Sequence, residues 1–333
     1  MEKGLLSVCC LGYNHAKFME ACVSSVWNND YKNVEIVVVD DGSKDNSVEV
    51  LESLKAKSPC PFTYIAQENT GNTGINFNRA VEKSNGEFLL FISLDDTLAP
   101  NSLAEKMKYV LEDDSVAYVV SKRVAYIDIN GKIIKRYYED KFDSNTTNEQ
   151  MREIEFNTGT FAIQNAIIRR AVFDSVGGYD NEIKADDIVL RTRLTKYLAE
   201  HPEWKFKTED KTEGFYYRQH SNNVSKNSLY TLSIYLEVYN KYWSDRPYPD
   251  YVKEVIARSV AGLPYEKTKQ LLDRYPKAMD LLNNDERFKI ILKAKFKNEK
   301  SKFIKYIYKY EPTYNRNIFK IFGIKLCGKV RKV

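Results

Sequence analysis

Proline, glycine and cysteine are all scarce in this chain: nine, fourteen and five residues among 333. With 43% hydrophobic residues beside them, that scarcity excludes a disordered polymer and a collagen-like repeat. No stretch of 18 apolar residues occurs and the mean hydropathy is −0.51, so a polytopic membrane protein is excluded too. The cysteines (Cys9, Cys10, Cys22, Cys60 and Cys327) form no CxxC pair. An odd, scattered set fits a reducing compartment better than a secreted disulfide framework. The apolar run in the first fifteen residues is too short for a signal peptide. Together these features predict a cytoplasmic protein. The phosphate-cradling GxxxxGK[ST] and the dinucleotide fingerprint GxGxxG are missing.

What is present is unevenly charged. Residues 286–333 hold fifteen Lys and Arg against three Asp and Glu, which leaves 36 against 43 for the rest. A mildly acidic body with a strongly basic tail calls for an anionic partner at the tail alone, and the whole chain does not read as a nucleic-acid binder. Within the tail, Lys alternates with Phe, Ile and Tyr over residues 303–309 and 318–326. A basic amphipathic helix of that kind lies on an anionic membrane surface, on the inner face of the cell membrane in a cytoplasmic protein, or packs on the body with its lysines solvated.

The first hundred residues alternate strand and helix. Apolar runs at 5–11, 34–39, 62–66 and 88–94 read as strands, and the spacing predicts helices over 17–27, 47–54 and 76–83. This is the pattern of βαβ units and a mainly parallel sheet, whose ligands bind beyond the carboxyl ends of the strands. Further on, 100–112 reads as a helix and 116–120 as a strand. Residues 126–151 read as a hairpin plus a mobile loop, and 188–199, 229–243 and 251–263 as helices. The expected organisation is a catalytic domain over 1–226, with halves of about 1–100 and 101–226, followed by a helical, basic region over 227–333.

Four polar constellations stand at the ends of these elements. Asp40-Asp41-Gly42-Ser43 follows the second strand; it is either a turn capped by Ser43 or Asp45, or a carboxylate poised for a base or ribose. Ser93-Leu94-Asp95-Asp96 follows the fourth strand. Two adjacent carboxylates there suit a divalent cation shared with a phosphate, or a solvated turn capping the next helix. Gly177-Gly178-Tyr179-Asp180 precedes Asp186-Asp187 at a helix start, where acidic groups also favour the dipole. Last comes Arg218-Gln219-His220, with Asn223 and Ser225 beyond; the chain has only three histidines.

In that order, with Tyr13-Asn14 after the first strand and Asn69, Gly71, Asn78 and Gly86 between, the elements resemble family 2 glycosyltransferases of the GT-A fold over residues 5–225. The resemblance implies an α/β, Rossmann-like, mainly parallel sheet flanked by helices, with a helical C-terminal extension. It implies inverting transfer of a hexosyl or N-acetylhexosaminyl group from a nucleotide-diphospho-sugar, a UDP-sugar, to a glycan or lipid-linked acceptor, as in bacterial surface polysaccharide synthesis. Tyr13, Asp40, Asp41 and Asn78 would then serve the nucleotide. Asp95 and Asp96 would hold the diphosphate and, with His220, an Mn2+ or Mg2+ ion. Asp187 would be the general base and Asp186 an acceptor contact. Three positions depart from the family pattern: Ser93 where an Asp is usual, Phe77 where an Arg is usual, and Asp186 where Glu is commoner. A non-catalytic nucleotide-sugar-binding or scaffold protein is the alternative reading. The tyrosine-rich helices after Asn227 offer a homodimer surface.

Overall fold

The computed structural model describes residues 1–159, 163–185, 187–221, 223 and 227–286; the basic tail beyond lies outside them. In chain order the elements are β1 (Glu2–Gly12), α1 (Ala16–Trp27), β2 (Val34–Asp40), α2 (Ser47–Lys57), β3 (Phe62–Ala66), α3 (Thr73–Glu82), β4 (Gly86–Ser93) and β5 (Thr97–Leu98). There follow α4 (Ala104–Glu112), β6 (Val116–Ile127), β7 (Ile133–Tyr138), α5 (Asn148–Thr158), β8 (Ile167–Arg169), α6 (Arg170–Ser175), α7 (Asp187–Glu200) and β9 (Lys205–Arg218). The helices α8 (Ser228–Tyr242), α9 (Asp250–Gly262), α10 (Tyr265–Leu272) and α11 (Pro276–Asn284) complete the described chain. It divides into two compact units, Met1–Glu254 and a second beginning at Val255. The first runs on past residue 226 to take in α8; in the second, Leu272, Ala278 and Leu282 are buried. No helix among the described residues is long and apolar enough to cross a membrane.

One sheet organises the first unit, in the order β3-β2-β1-β4-β8-β6-β9-β5, with β7 paired to β6. The pairs among β1 to β4 are parallel, as is β6 with β9, while β8 runs antiparallel to both its neighbours. The apolar runs of β1, β2 and β4 have no polar face because both faces are covered. Leu6, Val8 and Cys10 join Ile36, Val38, Leu90 and Ile92 beneath α1, α2 and α4. Cys9, Leu11, Val37, Val39 and Phe91 face the other way, against α3, α6 and α7. The result is three layers, with the α1 and α7 helices on opposite faces of the sheet.

Two elements depart from the sequence-based expectation. The loop predicted up to residue 151 instead ends in α5, whose start is a capping box: the Thr147 hydroxyl accepts from the Gln150 N–H and the Gln150 side chain returns the bond. β9 is a 14-residue strand that its sequence, KFKTEDKTEGFYYR, disguises with charges; it is held by its long parallel pairing with β6.

α5 and α7 are joined by a buried ion pair. Arg191 Nε lies 2.8 Å from Glu155 Oε1, which also accepts from the Thr192 hydroxyl at 3.3 Å. Burial pushes the Glu155 carboxyl up to about 7 against the pull of Arg191. Removing one partner strands a charge without water, so Arg191→Met is expected to cost about 3–5 kcal/mol in urea unfolding. The double substitution Arg191→Met with Glu155→Met should recover most of that loss.

Candidate active site

Parallel register brings three strand ends level: Gly12 stands opposite Asp40, and Leu11 opposite both Val39 and Ser93. The residues that follow each strand therefore share one edge. Gly12 leaves room for the Leu94 and Met19 side chains, whose ends would lie 2.7 and 3.2 Å from a Cβ there. Asn14 then turns the chain with φ 57°, in the left-handed region that Asn tolerates better than most residues. Its N–H donates to Ser43 Oγ at 2.8 Å, and its side-chain oxygen accepts from the Lys44 N–H at 2.7 Å.

The acidic pair after β2 is split between two tasks. Asp40 accepts from the Ser43 N–H at 3.0 Å and from the Ser43 hydroxyl, closing its own turn. Asp41, also buried, reaches across to the segment between β3 and α3. It accepts from Thr70 N at 2.8 Å, Thr70 Oγ1 at 3.1 Å, Gln67 Nε2 at 3.0 Å and Gly71 N at 3.3 Å. Gly42 has φ 78°, and a Cβ on it would sit 2.6 Å from Asn69 N, so the two segments touch there. Tyr13 stands at the same edge with its ring 44% exposed. Asn78 is turned elsewhere: its amide bonds Tyr179 O and Asn181 Oδ1, and accepts from Tyr179 N, each at 2.9 Å. It fastens α3 to the Gly177–Asp180 segment.

The pair after β4 is buried as well. Asp95 Oδ2 lies 2.8 Å from His220 Nε2 and 3.8 Å from His15 Nε2. Burial alone would raise the Asp95 pKa; the charge of His15, with bonds from Ser93 and His220, outweighs it and holds the carboxyl below its ordinary range. Asp96, 1% exposed, is pushed well up by burial and by the charge of Asp95, though Oδ1 accepts from the Arg218 N–H at 2.8 Å. Burial lowers the His15 pKa. Donor atoms of His15, Asp95 and His220 all lie within 4.8 Å of one another, close enough to share one cation. Two further atoms at the cluster, His15 Nδ1 and Asp96 Oδ2, are buried with no hydrogen-bond partner among the described residues.

Asp187 opens α7 and is half-buried; Asp186 lies outside the described residues. The approach to α7 is well held. Tyr179 stacks on Phe77 with centroids 5.4 Å apart, Gly74 leaves room for Ala185 O, and the Tyr230 hydroxyl donates to Lys184 O. Phe77, where an Arg was expected, thus supports the loop before α7.

Sequence reasoning passed over His15. With three histidines in all, one directly after a strand-end turn was the available signal. It also passed over Arg218 as a link: Nε donates to Asp95 O at 2.7 Å, while Nη1 reaches Asp128 O and Ile129 O at 3.2 Å.

A nine-stranded, two-sided sheet with acidic pairs and histidines at its strand ends is the architecture of a GT-A glycosyltransferase. The chain belongs to glycosyl transferase family 2, which residues 7–177 match. An uncharacterised glycosyltransferase of Nostoc sp. is 33% identical over 129 residues, 39% of either chain, so the match spans well under half of that relative. One from Haemophilus influenzae is 24% identical over 237 residues, covering 71% of this chain and 90% of its own. Among solved structures, S. aureus TarS 1–349 in complex with UDP superposes with a TM-score of 0.55 at 18% identity, covering 86% of this chain and 82% of that one. The mannosyltransferase PcManGT of Pyrobaculum calidifontis, in complex with GDP-Man and Mn2+, gives 0.54 at 15%, with 90% and 81% covered. These structural likenesses concern the fold.

If the cluster takes a cation, each histidine is a ligand. Titrating the protein with Mn2+ should then show His15→Ala and His220→Ala each weakening binding by about tenfold or more. Unchanged Mn2+ affinity in both would remove the site.

Proposed function

We propose that the protein is an inverting glycosyltransferase that moves a hexosyl or N-acetylhexosaminyl group from a UDP-sugar to a hydroxyl of a glycan or lipid-linked acceptor of surface polysaccharide. The observation that carries this reading is the convergence of Asp95, His220 and His15 at the strand ends of a family 2 fold. TarS has been crystallised with UDP-GlcNAc and PcManGT with GDP-Man and Mn2+, which supports a nucleotide-sugar donor here.

The residues fit a divalent cation: two imidazoles and a carboxylate converge, and two buried polar atoms beside them lack protein partners. A nitrogen-containing donor set favours Mn2+ over Mg2+, which prefers oxygen ligands. Such an ion would offset the charge gathering on the leaving diphosphate. The chain's own residues do the rest. The exposed Tyr13 ring gives the base a surface to lie against. Asp41, by gathering Gln67, Thr70 and Gly71, holds the floor beside it. Asp187, half-buried at the start of α7, takes the proton from the acceptor hydroxyl as it attacks, and Asp186, its neighbour in sequence, is assigned to the acceptor. Transfer then needs orientation and electrostatics, and no covalent intermediate.

Thermal unfolding with a panel of nucleotides tests the donor half of this reading. UDP with Mn2+ should raise the melting temperature of the wild type by mass action, and Asp95→Ala should abolish that rise. A wild type indifferent to every nucleotide would sink the reading.

The base has its own test. Asp187→Asn should keep the UDP–Mn2+ stabilisation yet lose about 10²–10⁴ in kcat for transfer. Full activity in that variant would place the proton transfer elsewhere.

A further inference from the structure

A cavity of about 320 Å³, at the lower end of the range for small-molecule sites, is lined in part by Phe18 and Arg218, which contact His220 and the Asp95 carbonyl. Its walls come from three places: the first turns of α1, the paired strands β5 and β9, and the β6–β7 connection. Neither Tyr13 nor the Asp40-Asp41 pair lines it, so it is separate from the surface assigned above to the nucleotide base.

Arg218 is the residue that asks for a ligand. It is 4% exposed and lines the cavity. Nε and Nη1 are committed to backbone carbonyls, and the guanidinium lies 4.9 Å from the Phe18 ring centroid. Nη2 has no partner among the described residues. That nitrogen opens on the cavity, where an anion's oxygen would take the place of water. Lys17 adds a second cation at the cavity, and no carboxylate side chain lines it. Two cations on a wall that carries no carboxylate favour an anion, and a guanidinium edge is shaped for phosphate oxygens. The rest of the wall is of another kind. Ile129, 47% exposed, and the Tyr216 ring offer an apolar surface, while Asn130 and Thr97 offer an amide and a hydroxyl. That mixture suits a sugar ring, with its apolar faces and hydroxyl rim.

We infer that this cavity binds a phosphate-bearing sugar of the acceptor, with the phosphate between Arg218 Nη2 and Lys17 and the ring against Ile129 and Tyr216. The assignment to the acceptor rests on the transferase reading; the anion site itself rests on the cavity alone. Acceptor phosphate has two sources, a soluble glycan phosphate or a lipid headgroup, and the walls favour the first because they carry hydrogen-bonding groups beyond the two cations.

Isothermal titration of the full chain with glucose 6-phosphate, under saturating UDP and Mn2+, tests the inference. Glucose and inorganic phosphate serve as the controls. Glucose 6-phosphate should bind more tightly than either control. Lys17→Gln should weaken it by about tenfold, the loss expected for one charged hydrogen bond. Ile129→Trp, a change at a half-exposed position, should fill the cavity and abolish binding. Both variants should keep the UDP–Mn2+ melting shift, which shows that they fold. No binding by the wild type, binding untouched by both variants, or competition with UDP would each overturn the inference. Equal binding of inorganic phosphate would overturn the sugar part. Lys17-dependent sedimentation with phosphatidylglycerol vesicles, without binding of glucose 6-phosphate, would assign the site to a headgroup instead. Loss of the UDP–Mn2+ shift in the wild type would count against the transferase reading and leave the cavity result standing on its own.

Discussion

Two adjacent carboxylates, both nearly out of water, set the terms for this structure. Asp95 and Asp96 follow β4 with 7% and 1% of their surfaces exposed, and like charges so placed repel and lose hydration together. The answering donors come from more than a hundred residues away. β5 begins one residue after Asp96 and pairs antiparallel with β9, Thr97 opposite Tyr216. That register carries Arg218 alongside the acidic pair, where its N–H meets Asp96 and its Nε meets the Asp95 carbonyl. Two residues on, His220 reaches the Asp95 carboxylate. Everything from α4 to α7 is thus a closed excursion that must return β9 in this register. A one-residue slip would turn Arg218 away and strip Asp96 of its backbone donor.

The two-faced sheet then explains how separate tasks meet at one edge. Helix α1 starts on one face and brings His15 and Phe18 to the strand ends, where the Phe18 ring lies 5.3 Å from that of His220. Helix α7 starts on the other face and brings Asp187. A helix start favours an anion through its dipole and unpaired N–H groups, and a rigid element beneath keeps that anion in place. Here α7 is tied to α5 by the Arg191–Glu155 pair and its approach is tied to α3 through Asn78. The two helix starts are thus carried by layers on opposite faces of one sheet.

Much of this could be read in the sequence, for reasons that are themselves physical. The β1, β2 and β4 runs are apolar because both faces are buried, and an acidic pair directly after such a run can only lie at the ligand-binding edge. What escaped reading depends on long-range pairing. β9 hides its strand character because its polar residues face groups supplied by the fold: Glu209 accepts from Thr212 Oγ1 and Ser121 Oγ, and Glu213 meets Arg136. α5 has few apolar residues, and only the Thr147-to-Gln150 spacing betrays it. Asn78 shows what a motif leaves open: its amide is bonded to the loop before α7. Spacing along the chain carries no information about which of two polar neighbours, ligand or loop, such a group will face.

The turn after β1 shows how local strain can sort chemistry. Asn14 holds φ 57° at a cost that a glycine would avoid, yet a glycine could not make the bond its side chain makes to Lys44. That bond, with the Asn14 N–H on Ser43 and Ser43 on Asp40, locks the β1 and β2 ends into one unit. The turn also parts its neighbours. Tyr13, just before it, is left at the open edge, whereas His15, just after it, is carried inward to 3.8 Å from Asp95. A freer turn would let the two side chains exchange surroundings; this one keeps an aromatic ring at the open edge and an imidazole at the charged cluster, one residue apart on either side of Asn14. The acidic turn of β2 therefore organises the site even through Asp40, whose carboxylate is spent on Ser43, because fixing that turn is what fixes the direction of His15.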